Sequence, residues 1–223
     1  MKNFQEQIAI LRNYKESTNN DNIRIKECIK DRLINYKSNI CRYENGESIQ
    51  LTDEESMEFN SDILIYLLNN SELQDNGAEL LDYFGVNILP YFKVTDIQTE
   101  CDNYICYETS FDGVDSSGKL KYGQVIFYIL CRIETNVIED LGITRHDLLA
   151  QQIIDRFNFT HLFGNQLYLA SDIPSITDSD YVTRTLTFQM TTLNSINNTS
   201  YRATSYNNKV YSYNNSLKPN GEK

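Results

Sequence analysis

Apolar residues in the first third of the chain recur at three- and four-residue steps, the spacing of helices. Phe4, Ile8 and Leu11 predict a helix from Met1 to about Ser17, and Thr18-Asn19-Asn20-Asp21 interrupts it with N-cap residues. Ile25, Cys28, Ile29, Leu33, Tyr36 and Ile40 predict an amphipathic helix from Ile23 to about Tyr43. Lys26, Lys30, Arg32 and Lys37 fall on its wet side, and Glu44-Asn45-Gly46-Glu47 ends it. Thr52-Asp53-Glu54-Glu55 has the form of a capping box. It opens a helix that Met57, Ile63, Leu64, Leu67 and Leu68 carry to Asn69-Asn70. A shorter helical segment is expected from Ala78 to Phe84, stopped by Gly85.

After Gly85 the period changes. Ile88, Pro90, Phe92, Val94 and Ile97 predict an extended strand whose proline favours an edge position. Asn103 to Ser110 reads as a second strand, and the turn formers from Asp112 to Lys119 as a hairpin loop. Tyr122 to Glu134 is the longest strand, apolar on both faces from Val125 to Cys131 and therefore central. Thr144 is placed to cap a helix that Leu149, Ala150, Ile153, Ile154 and Phe157 carry to Phe157. Leu167 to Ala170 and Tyr181 to Thr192 give two last strands, the second alternating Val182, Arg184, Leu186, Phe188 and Met190 with threonines. Beyond Asn194 periodicity stops and Asn, Ser and Tyr dominate. Such a segment is either a disordered tail or an arm that orders against a neighbour.

The expected fold is thus α+β, with N-terminal helices followed by a mixed, mainly antiparallel sheet and one helix packed across it. The chain divides into an N-terminal helical arm (1–20), a helical segment (21–86), a sheet-plus-helix core domain (87–194) and a C-terminal arm (195–223).

Charge narrows the partners. The formal net charge is -11, the wrong sign for gripping phosphate backbones, so no tight sequence-specific nucleic-acid binding is expected, while an acidic surface can still sit beside DNA without gripping it. The longest apolar run, Val125 to Cys131, is far short of the roughly 20 residues of a membrane span, and no membrane association is expected. The polar N-terminus has no signal-peptide pattern, so the chain is expected to stay where it is made. Five cysteines without a CxxC read as small hydrophobes in a reducing compartment. Heavy use of Asn, Ile, Lys and Tyr is what AT-rich codons favour.

Searches for chemistry return little. His146, in the first turn of a helix, and His161, in a loop between aromatic anchors, are the candidates for proton transfer at neutral pH. Neither has a nucleophile or metal-binding companion in the linear sequence. Asp53-Glu54-Glu55 is a helix start, and Glu139-Asp140 and Asp178-Ser179-Asp180 lie in turn-like sequence. Asp112 and Asp115 lack the ligand spacing of a calcium loop. No phosphate-cradling glycine motif occurs. No catalytic residue, cofactor or metal is expected, and the chain reads as a non-enzyme.

One stretch carries a recognisable pattern. The strand GQVIFYILCRIE leads into Gly142-Ile143-Thr144-Arg145-His146-Asp147-Leu148-Leu149-Ala150; the helix closes on Ile153-Ile154-Asp155-Arg156-Phe157-Asn158-Phe159. A glycine-bearing turn, a strand before Ser171-Asp172 and the strand from Tyr181 to Phe188 follow. This order resembles the tail-completion, tail-terminator and neck proteins of tailed bacteriophages. In those proteins a helix with an Arg-Ala-Asp or Arg-His-Asp type start crosses a mixed sheet, and the last strand reads tyrosine-x-x-arginine-x-leucine-x-phenylalanine. The likeness covers Ile88 to Leu193, about half the chain, and extends to AT-rich phages of the crAss-like type, which stack several such rings below the portal.

The resemblance implies a virion protein of the neck or tail, assembled in the host cytoplasm as a six- or twelve-fold homo-oligomeric ring beside the portal and adjacent neck or tail proteins. It singles out Thr144, Arg145 and Asp147 at the helix start and Tyr181 and Arg184 on the last strand as structural and assembly residues. Arg145 and Asp147 are expected to act by hydrogen bonding and ion pairing at the helix start. Free strand edges are expected at Ile88 to Ile97 and at the chain's end. Two other readings stay open: a different non-catalytic phage structural or adaptor protein, and an enzyme with a deep pocket lined by His146 or His161.

Overall fold

Alternation along three long strands decides the architecture. The computed structural model describes residues 3, 5–7, 21–39, 41–69, 77–92, 101–139, 141–162, 165–176 and 180–193. The expected helix over 1–17, the strand beyond Phe92 and the C-terminal arm fall mainly or wholly outside them. Strands β3 (Ile88–Leu89), β4 (Asn103–Val114), β5 (Leu120–Arg132), β10 (Tyr168–Ile176) and β11 (Tyr181–Leu193) form one sheet in the order β10-β11-β5-β4-β3. All its pairings are antiparallel except β3 with β4, so the fold is α+β with a mixed sheet, as the sequence predicts. Four two-residue strands make small hairpins beside it: β6 (Val137–Ile138) with β7 (Ile143–Thr144), and β8 (His161–Leu162) with β9 (Asn165–Gln166).

Residues opposite each other in an antiparallel ladder share a face. Register therefore puts Ile105 and Tyr107 of β4 beside Ile129 and Phe127 of β5, and Leu186 and Phe188 of β11 beside Phe127 and Val125. This is the core face. Three helices cover it: α1 (Asp21–Ile34), α2 (Asp53–Leu68) and α3 (Arg145–Phe157). Ile25, Ile29 and Leu33 of α1, Leu64, Ile65, Leu67 and Leu68 of α2, and Leu149, Ala150, Ile153 and Phe157 of α3 join the sheet in one buried cluster. Each such aliphatic or aromatic side chain contributes about 1.5–3 kcal/mol. The single core runs across residue 86, so helices expected in a separate segment pack on the same sheet face as α3.

The other face has a smaller cluster, in which Leu89, Tyr104, Cys106, Leu130 and Tyr181 are buried with Phe92, Cys101 and Tyr128 against them. This explains why β5 is apolar on both sides at its C-terminal half. At Gly123 of β5 an added Cβ would sit 2.8 Å from the Phe111 ring and 3.0 Å from Met190, so glycine makes room for both.

Two boundaries differ from the sequence reading. The helix expected to reach Tyr43 stops at Ile34. Tyr36 leaves the helical path to donate its hydroxyl to the Asp155 carbonyl, with its ring beside the guanidinium carbons of Arg32 (5.0 Å) and Arg156 (4.9 Å). The following residues form a hairpin, β1 (Cys41–Glu44) and β2 (Glu47–Gln50), around Asn45 (φ 51°) and Gly46 (φ 86°). Asn-Gly with both residues left-handed is a two-residue hairpin turn, not a helix end. The last strand, β11, is also not a margin: β10 covers it, leaving β10 and β3 as the outer strands. Pro174 lies in β10 and Pro90 directly follows β3, so each margin has proline, which limits strand addition there.

The α2 start is as expected. The Glu55 amide donates to Thr52 Oγ1 (3.3 Å) and the Thr52 amide to Glu55 Oε2 (2.8 Å), a complete capping box contributing about 1 kcal/mol.

Candidate functional site: the charged seam at the start of α3

Helix α3 joins sheet, α2 and the β6–β7 arm, and its first three residues make most of the polar links. Arg145 is 6% exposed. Its Nη1 donates to the carbonyls of Tyr66 (3.0 Å), Leu67 (3.1 Å) and Asn69 (3.3 Å), and its Nε to Thr135 O (3.3 Å). Those three carbonyls belong to the C-terminal end of α2, where the last helical carbonyls lack intrahelical donors and the helix dipole is negative. Arg145 therefore acts at the helix start by hydrogen bonding, as a buried cap for α2.

At the other end of α3, Arg156 is wholly buried. It donates from Nη2 to Asn60 O (3.0 Å) and from Nη1 to Gln152 O (2.8 Å) and Gln152 Oε1 (2.7 Å), while its Nε has no partner. Desolvation pushes its pKa down to about 10, so it stays a cation at neutral pH. Asn60 lies near Arg156 and Leu67 near Arg145, so α2 and α3 run antiparallel. Two guanidinium groups about 16 Å apart along α3 fasten them. Arg32 of α1 in turn donates its Nε to Arg156 O (2.8 Å), capping α3.

Asp147 faces the sheet. Its carboxylate accepts from the Thr144 hydroxyl and from Arg184 Nη1, and Arg184 forks onto Asp172 of β10 through two 2.7 Å bonds. A bidentate guanidinium–carboxylate pair of this kind fixes orientation as well as charge. Thr144 occupies the N-cap position without accepting a side-chain cap bond, and its hydroxyl donates to Asp147. Burial pushes the Asp147 carboxyl up, but Thr144, His146 and Arg184 outweigh this and hold it below the ordinary value.

His146 completes the seam. Asn136 Oδ1 lies 3.1 Å from the His146 amide and 2.9 Å from its Nδ1, and the Asn136 carbonyl accepts from the Arg145 amide (2.5 Å). Asn136 opens the arm, so Arg145 and His146 together pin its base. His146 Nε2 is 3.4 Å from Asp147 Oδ1. Both ring nitrogens thus face partners, and with Thr144 committed to Asp147 the group is built to hold elements together.

Burial lowers the His146 pKa, with Asp147 opposing and Arg184 assisting. A histidine depressed on folding stabilises the native state above its unfolded pKa, near 6.5, and that stability is lost as pH falls through the lower folded value. Urea denaturation from pH 7.5 to 5 should therefore show a decline that is shallower in His146→Asn; identical slopes would remove His146 from the seam's electrostatics.

Of the five residues singled out in the sequence, Thr144, Asp147 and Arg184 meet, and Arg145 points away into α2. Tyr181 is on the opposite sheet face, donating to Cys101 O (3.0 Å) and packing on Tyr104 at 6.5 Å. Arg184 is three positions after Tyr181, and an odd step along a strand changes face. The sequence reading missed Asn136, Arg156, Asp172 and the α2 carbonyls as parts of the same construction.

His161 is exposed in β8, paired across the hairpin with Gln166. A polar pocket of about 290 Å³ opens between the linker after α1, α2 and α3, lined by Tyr36, Ser38, Asn39, Asn60, Gln152 and Asp155. Neither histidine lines it. Among the described residues no group of three or more His, Cys, Asp or Glu side chains is placed to hold a metal ion, and no helix is long and apolar enough to cross a membrane.

No curated protein matches the chain. The model of the YomW family matches residues 60–190, from the Asn60 whose carbonyl accepts from Arg156 to Met190 near the end of β11, which includes every member of the seam at the start of α3. With more than half of its length matched, the chain belongs to this phage-derived YomW family and is a phage-associated protein.

Proposed function

We propose that this protein is a non-catalytic virion subunit that closes into a six- or twelve-fold ring in the phage neck or tail, joins head to tail and lets DNA pass. The observation that carries the reading is the β6–β7 arm. Within the eleven residues 133–143, Ile133, Val137, Leu141 and Ile143 are 42–58% exposed, although the arm's base is pinned by Asn136, Arg145 and His146. Single exposed apolar residues are ordinary; here Val137, Leu141 and Ile143 crowd one short hairpin that Ile138 anchors in the core, with Ile133 in the turn before it, and this density of exposed apolar side chains supports a contact there. Membership of a phage-derived family and a helix crossing a mainly antiparallel sheet both support the choice of a phage structural component. The acidic chain suits a lumen through which DNA slides, because its net field repels phosphate. Neighbouring contacts are with further copies, the portal and adjacent neck or tail proteins.

Negative-stain images of the purified full chain should show rings. Val137→Asp with Leu141→Asp should reduce them to small species while leaving the melting temperature within a few degrees, since both side chains are exposed. Strict monomers that also ignore portal-type partners would overturn the reading.

A further inference from the structure

The residues after Asn194 have a charge opposite to the rest of the chain. Arg202, Lys209, Lys218 and Lys223 against the single acid Glu222 give 195–223 a net charge of +3, so of the chain's -11 the preceding residues carry -14. The segment also has four tyrosines, Tyr201, Tyr206, Tyr211 and Tyr213, spaced through Asn and Ser. Tyrosine provides large amphipathic contact area at low entropic cost. The β6–β7 arm is complementary: exposed Ile133, Val137, Leu141 and Ile143 are interleaved with exposed Glu134 and Glu139.

Topology separates the two. The arm follows Arg132, which pairs with Tyr181 at one end of the sheet, whereas β11 ends at Leu193, paired with Leu120 at the other. Thirteen residues of strand put these ends about 40 Å apart. The C-terminal segment thus departs from the end of the sheet remote from its own arm. At up to about 100 Å, 29 residues are long enough to span this separation as well as to reach the arm of a second copy set end to end, and closing a ring selects the second copy. Both sheet margins have prolines that limit strand pairing there.

We infer that residues 195–223 of one copy cover the 133–143 arm of the next, tyrosines on the apolar side chains and basic residues on Glu134 and Glu139. The contact joins different surfaces, so it is heterologous and generates a ring when the rotation closes. It rests on the ring reading and names its joint.

The test is a charge exchange in the full chain. One variant carries Glu134→Lys and Glu139→Lys; the other carries Arg202→Glu, Lys209→Glu and Lys218→Glu. All substituted positions lie on exposed side chains of the arm or outside the described core, and equal melting temperatures verify folding. Each variant alone should sediment as a small species and the equimolar mixture should regain the wild-type oligomer, because in the mixture every tail meets an arm of opposite charge on a neighbour. A mixture that stays dissociated while a chain carrying all five substitutions assembles means the tail folds onto its own arm, which overturns the inference. Rings formed by either variant alone also overturn it and leave the ring reading standing. A monomeric wild type, run alongside, removes the ring reading itself.

Discussion

Arg145→Ala should destabilise the fold by about 3–5 kcal/mol, the cost expected when a buried charged donor is removed and its acceptors stay buried. At 2–4 °C per kcal/mol for a domain of this size, the melting temperature should fall by roughly 6–20 °C. The loss comes from the three carbonyls of Tyr66, Leu67 and Asn69, which share one Nη1 and have no replacement donor. Arg145→Met restores volume but no donor, so it should recover little; Arg145→Lys, with a compact ammonium, should recover part. Arg145 and Asp147 act in separate networks. The Arg145→Ala/Asp147→Ala double variant should accordingly be additive within about 0.5 kcal/mol. A coupling well above that would mean that the two side chains share one network.

Phe127→Ala should cost a similar amount, about 3–5 kcal/mol, for a different reason. Phe127 is wholly buried at the centre of β5, with ring centroids at 4.9 Å from Phe157, 5.8 Å from Phe188 and 6.0 Å from Tyr107. It therefore ties α3, β11 and β4 to the central strand. Truncation opens a cavity and removes three aromatic contacts of about 0.5–1.5 kcal/mol each, part of the same total. Urea unfolding should show a lower midpoint at an unchanged slope, and Phe127→Leu should recover most of the loss. A loss below about 1 kcal/mol for Phe127→Ala would mean that the three elements do not depend on a shared centre.

Local signals in the sequence translate well into this fold. Thr52 and Glu55 sit three apart before an apolar run, and the capping box forms. The apolar run of β5 leads to its central position, because only a strand covered on both faces tolerates it. Following the apolar period through Tyr36 and Ile40 makes Glu44-Asn45-Gly46-Glu47 a helix stop, whereas with Asn45 and Gly46 both left-handed it is a hairpin turn. The departure of Tyr36 towards the C-terminus of α3 decides the matter, and that contact spans 119 residues.

The seam is legible only in part for the same reason. Thr144 and Asp147 are local and readable, and the parity of Tyr181 and Arg184 already separates them. The α2 acceptors of Arg145 lie 76 to 79 residues away, and the fork between Arg184 and Asp172 depends on the β10–β11 register. Arg156 lies in the last turn of α3, where a base is ordinary. Its complete burial follows from α2 crossing over it, which no pattern within α3 announces.

The account turns on whether the pinned, apolar arm is satisfied by other copies of the chain. Native mass spectrometry of the full-length protein at micromolar concentration reads this directly. A closed ring gives six or twelve times the 25.9 kDa subunit mass, with the Val137→Asp/Leu141→Asp variant collapsing to one subunit. A single 25.9 kDa species for the unaltered chain, at every concentration tried and with portal-type partners present, would contradict it.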